Sequence, residues 1–170
     1  TEKAAIREAV RERGMAFLGV CLGHQLLADA LGGTVGRMAA PEVGLMEVAL
    51  TAAGMADPLF AGLDKSFTCL QWHSCEIQMP PAGCEILAAS PACAAQAVRV
   101  GRRAYGLQFH IEMTARTVTE WAEIPAYERS LEAALGPGAL ARLDSGISAG
   151  LPKFNAMARR LCENFISLVR

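Results

Sequence analysis

The first dozen residues repeat on a helical period. Ala5, Ile6, Ala9 and Val10 fall on one stripe, and Lys3, Arg7, Glu8, Arg11 and Glu12 on the other. This pattern predicts an amphipathic helix over Thr1–Glu12 with Gly14 as its stop. Met15–Val20 is instead a short continuous apolar run, the form of a strand buried on both faces of a parallel sheet. The helical period returns over His24–Leu31 and ends at Gly32-Gly33. Helix, buried strand, sharp turn and helix, in that order, are an α/β signature. Short strands are then expected at Thr34–Arg37, Leu45–Leu50, Phe67–Gln71, Glu85–Ala89, Ala95–Val100 and Ala104–Phe109. A tight hairpin turn over Val100–Arg103 should join the last two. Beyond Thr114 the pattern is helical, broken at Pro125 and at Gly136-Pro137-Gly138. The final helix spaces Phe154, Met157, Ala158, Leu161, Phe165 and Leu168 for docking on a core.

These elements predict one α/β domain over residues 1–170, with an open, mostly parallel, flavodoxin-like sheet flanked by helices. A small antiparallel portion is expected within it. Composition agrees with an ordinary globular chain: 52% of residues are hydrophobic and 19% charged. The formal net charge is −1, from 16 basic and 17 acidic residues, which leaves no electrostatic footprint for nucleic acid or an anionic membrane. No apolar run approaches the roughly 20 residues of a spanning helix, and no signal-peptide core follows Thr1. The six cysteines include no C-x-x-C pair. They read as reduced thiols of a cytoplasmic protein rather than a disulfide framework or a zinc site. No metal or cofactor is expected.

The chemistry concentrates in two segments. In Gly19-Val20-Cys21-Leu22-Gly23 a cysteine sits where the predicted strand gives way to a helix. A nucleophile on such a turn needs small neighbours two residues away on each side, and it is held exposed in a strained conformation. The helix N-terminus favours the thiolate, the reactive form, and the Leu22 amide would point at a developing oxyanion. Cys69, Cys75, Cys84, Cys93 and Cys162 lack this setting.

The second segment is Gln108-Phe109-His110-Ile111-Glu112. A cysteine nucleophile needs a base, and the base needs an orienting group. Residues i and i+2 of an extended segment share a face, so Glu112 can hold the ring of His110. Both segments follow predicted strands, and ligands of open α/β sheets bind at the carboxyl ends of strands.

With its continuation His24-Gln25, the first segment resembles the nucleophile segment of class I (triad) glutamine amidotransferases. Gly106–Glu112 resembles their histidine–glutamate segment, and Gln71-Trp72-His73-Ser74 looks like the strand beside their glutamine pocket. The resemblance spans roughly Thr1–Thr119 and is closest to the stand-alone, GMP synthase-like branch. It implies Cys21 as nucleophile, His110 as base and acid, Glu112 as orienter and the Leu22 amide as one oxyanion donor. It also implies that Gln25 contacts bound glutamine and that the backbone of Ser74 and Cys75 meets its α-carboxylate. His24 and His73 look secondary. Ile111 replaces a proline usual in the family, and Ser74-Cys75 stands where this branch commonly has glycine and aspartate.

The implied reaction is hydrolysis of the glutamine carboxamide through a cysteine thioester, with ammonia passed to a synthetase partner in trans. The alternatives are a γ-glutamyl peptide or amide hydrolase with the same triad, and a non-catalytic binding relic. The family's first strands, and the glycine-rich loop giving a second oxyanion amide, normally lie upstream. The resemblance therefore implies that this chain is part of a longer polypeptide, and that alone it hydrolyses glutamine poorly and tends to associate.

Overall fold

The structure is a computed structural model that describes residues 1–170, with the side chains at positions 126 and 128 excepted. The predicted first helix is present as α1 (Glu2–Arg7) continuing through a π-helical turn at Glu8–Glu12. The chain then reverses at Gly14, whose φ of 59° suits glycine. There follow β1 (Phe17–Val20), α2 (Leu22–Ala30), β2 (Thr34–Leu50), α3 (Ala52–Ala56), β3 (Ser66–Met79), β4 (Cys84–Ala89), β5 (Ala97–Val100) and β6 (Ala104–Leu107). Three helices close the chain: α4 (Thr117–Ala122), α5 (Pro125–Leu135) and α6 (Ala139–Val169). Pro125 opens α5, where its missing N–H costs nothing, and the Gly136–Gly138 break separates α5 from α6.

The six strands form one sheet in the order β1-β6-β5-β4-β2-β3. The expectation of a mostly parallel, flavodoxin-like sheet is corrected here. Only β1 and β6 run parallel; β6–β5, β5–β4, β4–β2 and β2–β3 are all antiparallel. The physical reason lies in the connections. A parallel pair needs a long crossover, usually a helix, and between β1 and β6 only α2 is a substantial helix. From β3 onward the links are short, including the predicted hairpin at Gly101, where Val100 faces Ala104, while β2 meets β3 antiparallel after the excursion through α3. The segments expected at Thr34–Arg37 and Leu45–Leu50 are the two ends of β2. Its ladder with β3 slips between Arg37 and Glu42, just where Pro41 has no N–H to give.

β1 is also not buried on both faces. It lies at the sheet edge, and Leu18 and Met15 are 37% and 48% exposed.

The sheet curls until its far edge returns to the segment that follows β6. Leu70, in the middle of β3, bridges His110 through Leu70 N–H to His110 O at 3.0 Å and His110 N–H to Leu70 O at 2.8 Å. Phe67 packs edge-on against Phe109 at 5.3 Å beneath this bridge. Leu143, Ile147, Phe154, Met157 and Leu161 of α6 are buried against the same core. Each such side chain contributes about 1.5–3 kcal/mol when removed from water. The core thereby sets the backbone on which His110 sits.

Candidate active site

Cys21 follows β1 and caps α2. Its φ of 49° and ψ of −102° make it the one non-glycine residue with positive φ among the described residues. Such a conformation costs of order 1–3 kcal/mol and persists only where the surroundings impose it. They do so here. The Cys21 amide continues the β1–β6 ladder to Leu107 O at 2.7 Å, while its carbonyl already accepts from Gln25 N–H at 3.2 Å in the first turn of α2. A Cβ on Gly19 would stand 2.4 Å from the Gly23 carbonyl, so the strand and the helix start touch through bare backbone. A Cβ on Gly23 meets nothing within 4 Å. Of the two small neighbours expected, only the first is sterically required. Leu22 follows at the helix start, 64% exposed, and amides of a first helical turn have no intrahelical partner.

His110 is nearly buried and its backbone is clamped by Leu70. Glu112 reaches its Nδ1 at 2.5 Å through Oε1 and accepts the Ile111 amide at 2.9 Å through Oε2. Proline at 111 would have no N–H for that second bond. Burial alone would lower the His110 pKa; hydrogen bonding of the protonated ring to Cys21 and to the Glu112 carboxylate outweighs it and lifts the ring to about 9. Glu112 is held below the ordinary carboxylate value, because its bonds to His110 and to the Ile111 amide outweigh desolvation. With Nδ1 taken by Glu112, Nε2 is the ring nitrogen left for another partner. Trp121 of α4 packs edge-on against the ring at 4.9 Å.

The remaining candidates are placed less evenly. Gln25 Nε2 donates to the Cys75 carbonyl at 3.0 Å and to Gln108 Oε1 at 2.9 Å, and Gln108 Nε2 lies 3.7 Å from Cys21 Sγ. Cys75 is half-buried and Ser74 exposed. Ser74 lies opposite the slip in the β2–β3 ladder, between the register pairs Arg37–Cys75 and Glu42–His73.

Behind Cys75 lies a buried polar network that the sequence did not announce. His73 Nδ1 bonds the Cys75 carbonyl at 2.9 Å, and its Nε2 lies 3.1 Å from Glu42 Oε2. Ser90 Oγ and Gln96 Nε2 donate to Glu42 at 2.6 and 2.7 Å. Desolvation pushes the Glu42 pKa up, but these donors and His73 overcome it and hold the group below its ordinary value.

Gln108 had a legible signal: it is two residues before His110 on an extended segment, hence on the same face. Glu42, Ser90 and Gln96 had none. His24 is fully buried under β6, where a Cβ on Gly106 would stand 2.6 Å from its Nδ1. Burial holds its pKa down to about 4, so it packs as a neutral ring.

Other groups are less suited to chemistry. Burial pushes the thiols of Cys69, Cys84 and Cys93 upward, the last two to about 11 and 12. Among the described residues no cluster of three or more His, Cys, Asp or Glu could hold a metal ion, and no helix is long and apolar enough to cross a membrane. A cleft of about 740 Å³ is lined in part by Arg11, Arg99, Arg102 and Arg103. It lies at the β5–β6 turn, at the opposite end of β6 from Cys21, and holds no nucleophile.

Known proteins are similar to this chain in sequence and in fold. The chain is 37% identical over 119 residues to the glutamine amidotransferase-like protein YfeJ of Salmonella typhimurium, covering 69% of this chain and 48% of that protein. It is 41% identical to a glutamine-hydrolysing GMP synthase subunit of Sulfurisphaera tokodaii, over 56% of this chain and 50% of the relative. The chain therefore spans about half the length of these relatives. A glutamine amidotransferase structure from Thermotoga maritima superposes with a TM-score of 0.84 at 29% identity, over 97% of this chain and 68% of that one. The sequence model of the glutamine amidotransferase class-I family matches residues 1–121, and the chain belongs to that family.

Proposed function

We propose that this chain hydrolyses the side-chain amide of glutamine through a thioester on Cys21. The observation that supports this reading is the His110–Glu112 pair, 2.5 Å apart just after β6, the strand whose Leu107 carbonyl accepts the Cys21 amide. The Cys21 thiolate attacks the carboxamide carbon, and the resulting oxyanion meets the Leu22 amide at the start of α2. Imidazolium His110 protonates the nitrogen, the C–N bond breaks and ammonia leaves. His110, now neutral, takes a proton from water as that water attacks the thioester. The C–S bond breaks, glutamate departs and the thiolate is restored. Glu112 holds the ring and stabilises its charged form throughout. Gln25 and the backbone of Ser74 and Cys75 bind the amino-acid end of the substrate, Ser74 from a stretch where the β-ladder slips.

Relatives named as subunits of a glutamine-hydrolysing GMP synthase support a synthetase partner in trans as the consumer of the ammonia. Ammonia release from glutamine, measured beside release from γ-glutamyl peptides and with Cys21→Ser as control, tests the proposal. Glutamine turnover that vanishes with Cys21→Ser is the expected result. Turnover confined to γ-glutamyl peptides would transfer the same triad to a peptide hydrolase, and turnover that survives the substitution would remove Cys21 from the reaction.

A further inference from the structure

Two amides, one half-buried at Gln25 and one wholly buried at Gln108, link the wall of the site to the sulfur, and their orientation is forced. A backbone carbonyl only accepts, so Gln25 must turn its nitrogen towards Cys75 O, 3.0 Å away. The same nitrogen lies 2.9 Å from Gln108, which must answer with its oxygen. Gln108 is wholly buried, and with Oε1 engaged its Nε2 faces Cys21 Sγ at 3.7 Å. Reversing either amide would set oxygen against oxygen or N–H against N–H in a place without room for error.

We propose that Gln108 is a further catalytic residue, donating its Nε2–H to the Cys21 sulfur to favour the thiolate, and that Gln25 is the positioning residue that keeps this amide in its donating orientation. The proposal rests on the reading of Cys21 as nucleophile. The sulfur then has the Gln108 amide as a donor in addition to the His110 ring that the proposed reaction pairs with it. The chain of constraints begins at the Cys75 carbonyl, which His73 also binds with Glu42 behind it.

The rate of iodoacetamide alkylation at neutral pH, mapped by mass at Cys21 and at exposed Cys162, tests this without any substrate. Gln108→Met keeps the volume and removes the donor; Cys21 should slow roughly tenfold, as for loss of a hydrogen bond to a charged group, with Cys162 unchanged. Gln25→Met should slow Cys21 less in the native background, and not at all further once Gln108 is already Met. That non-additivity separates a relay from two independent packing defects. Gln25→Glu, at a half-buried position where folding is tolerant, should attract the Gln108 amide nitrogen and turn its oxygen on the sulfur. It should slow Cys21 at least as much as Gln108→Met. An unchanged Cys21 rate in Gln108→Met or Gln25→Glu, or additive effects in the double variant, would overturn the relay. Fast alkylation of native Cys21 that is indifferent to these variants sinks the relay alone. A native Cys21 no faster than Cys162 sinks both the relay and the nucleophile reading.

Discussion

Gly19 lies against Gly23 so closely that a Cβ on Gly19 would stand 2.4 Å from the Gly23 carbonyl carbon and oxygen. The strain at Cys21 is held in place by this contact between bare strand and bare helix start. Gly19→Ala should therefore destabilise the chain by about 3 kcal/mol, the upper range for overpacking, and slow alkylation of Cys21 as the elbow opens. Gly23→Ala meets open space and removes a helical glycine, so it should be neutral or stabilising by up to about 1 kcal/mol. Urea unfolding of the two variants side by side checks the asymmetry. Equal losses would mean that the glycines matter only through backbone freedom.

The pairing of His110 with Glu112 has a pH signature. The ring is raised from 6.5 to about 9, so its protonation favours the folded state. That contribution is complete below about 6.5 and fades as pH climbs to about 9. Glu112, shifted down, contributes above its usual value of 4.5 and is lost on further acidification. Proton NMR of the histidine ring signals should find His110 titrating well above 6.5 and His24 near 4. Glu112→Gln should bring His110 down, and the stability gap between this variant and the native chain should narrow as pH rises through that window. A His110 titration unmoved by Glu112→Gln would remove the carboxylate from the pair.

Trp121 closes one side of the His110 ring, edge to face at 4.9 Å and 73°. It is itself braced by Trp72 at 5.6 Å. Trp121→Ala lets water in and the ring swing, and a small misplacement of a reacting group is costly. Ammonia release from glutamine should fall roughly tenfold or more in kcat. Trp121→Phe, which keeps an aromatic edge, should retain most of the activity. Equal activity in both variants would show that the ring is positioned by Glu112 and Leu70 alone.

Glu42 is a buried carboxylate with three donors around it. Glu42→Ala leaves His73 Nε2, Ser90 Oγ and Gln96 Nε2 without their acceptor in the interior, so a loss of about 1–3 kcal/mol is expected. Glu42→Gln, which keeps shape and some hydrogen bonds, should lose less. Since the Glu42 pKa is lowered on folding, the native chain's advantage over Glu42→Gln should shrink as pH falls through its folded value. Denaturant titrations at neutral and acid pH measure both effects. A Glu42→Ala variant as stable as the native chain would mean that the network contributes little to the fold.

What the sequence determined by itself was local. The elbow was legible because Gly19, Cys21 and Gly23 lie within five residues, and a strand-to-helix turn makes the same demand wherever it occurs. The His110–Glu112 contact was legible because alternation along an extended segment places i and i+2 on one face. The hairpin at Gly101 and the docking stripe of α6 followed from periods of two and 3.6 in the same way.

Only the tertiary structure decided the direction of the strands, which one-dimensional apolar runs do not encode. A buried run reads the same whether its neighbour lies parallel or antiparallel, and the apolar run of β1 is not buried on both faces as expected. It alone joined Leu70 to His110, Gln108 to Gln25 and Glu42 to His73. Each of those pairs is brought together by the curl of the sheet or the pairing of distant strands. Each is a buried polar contact whose partner is chosen by three-dimensional proximity and by the cost of leaving a donor or acceptor unmatched. Neither of these leaves a period in the chain.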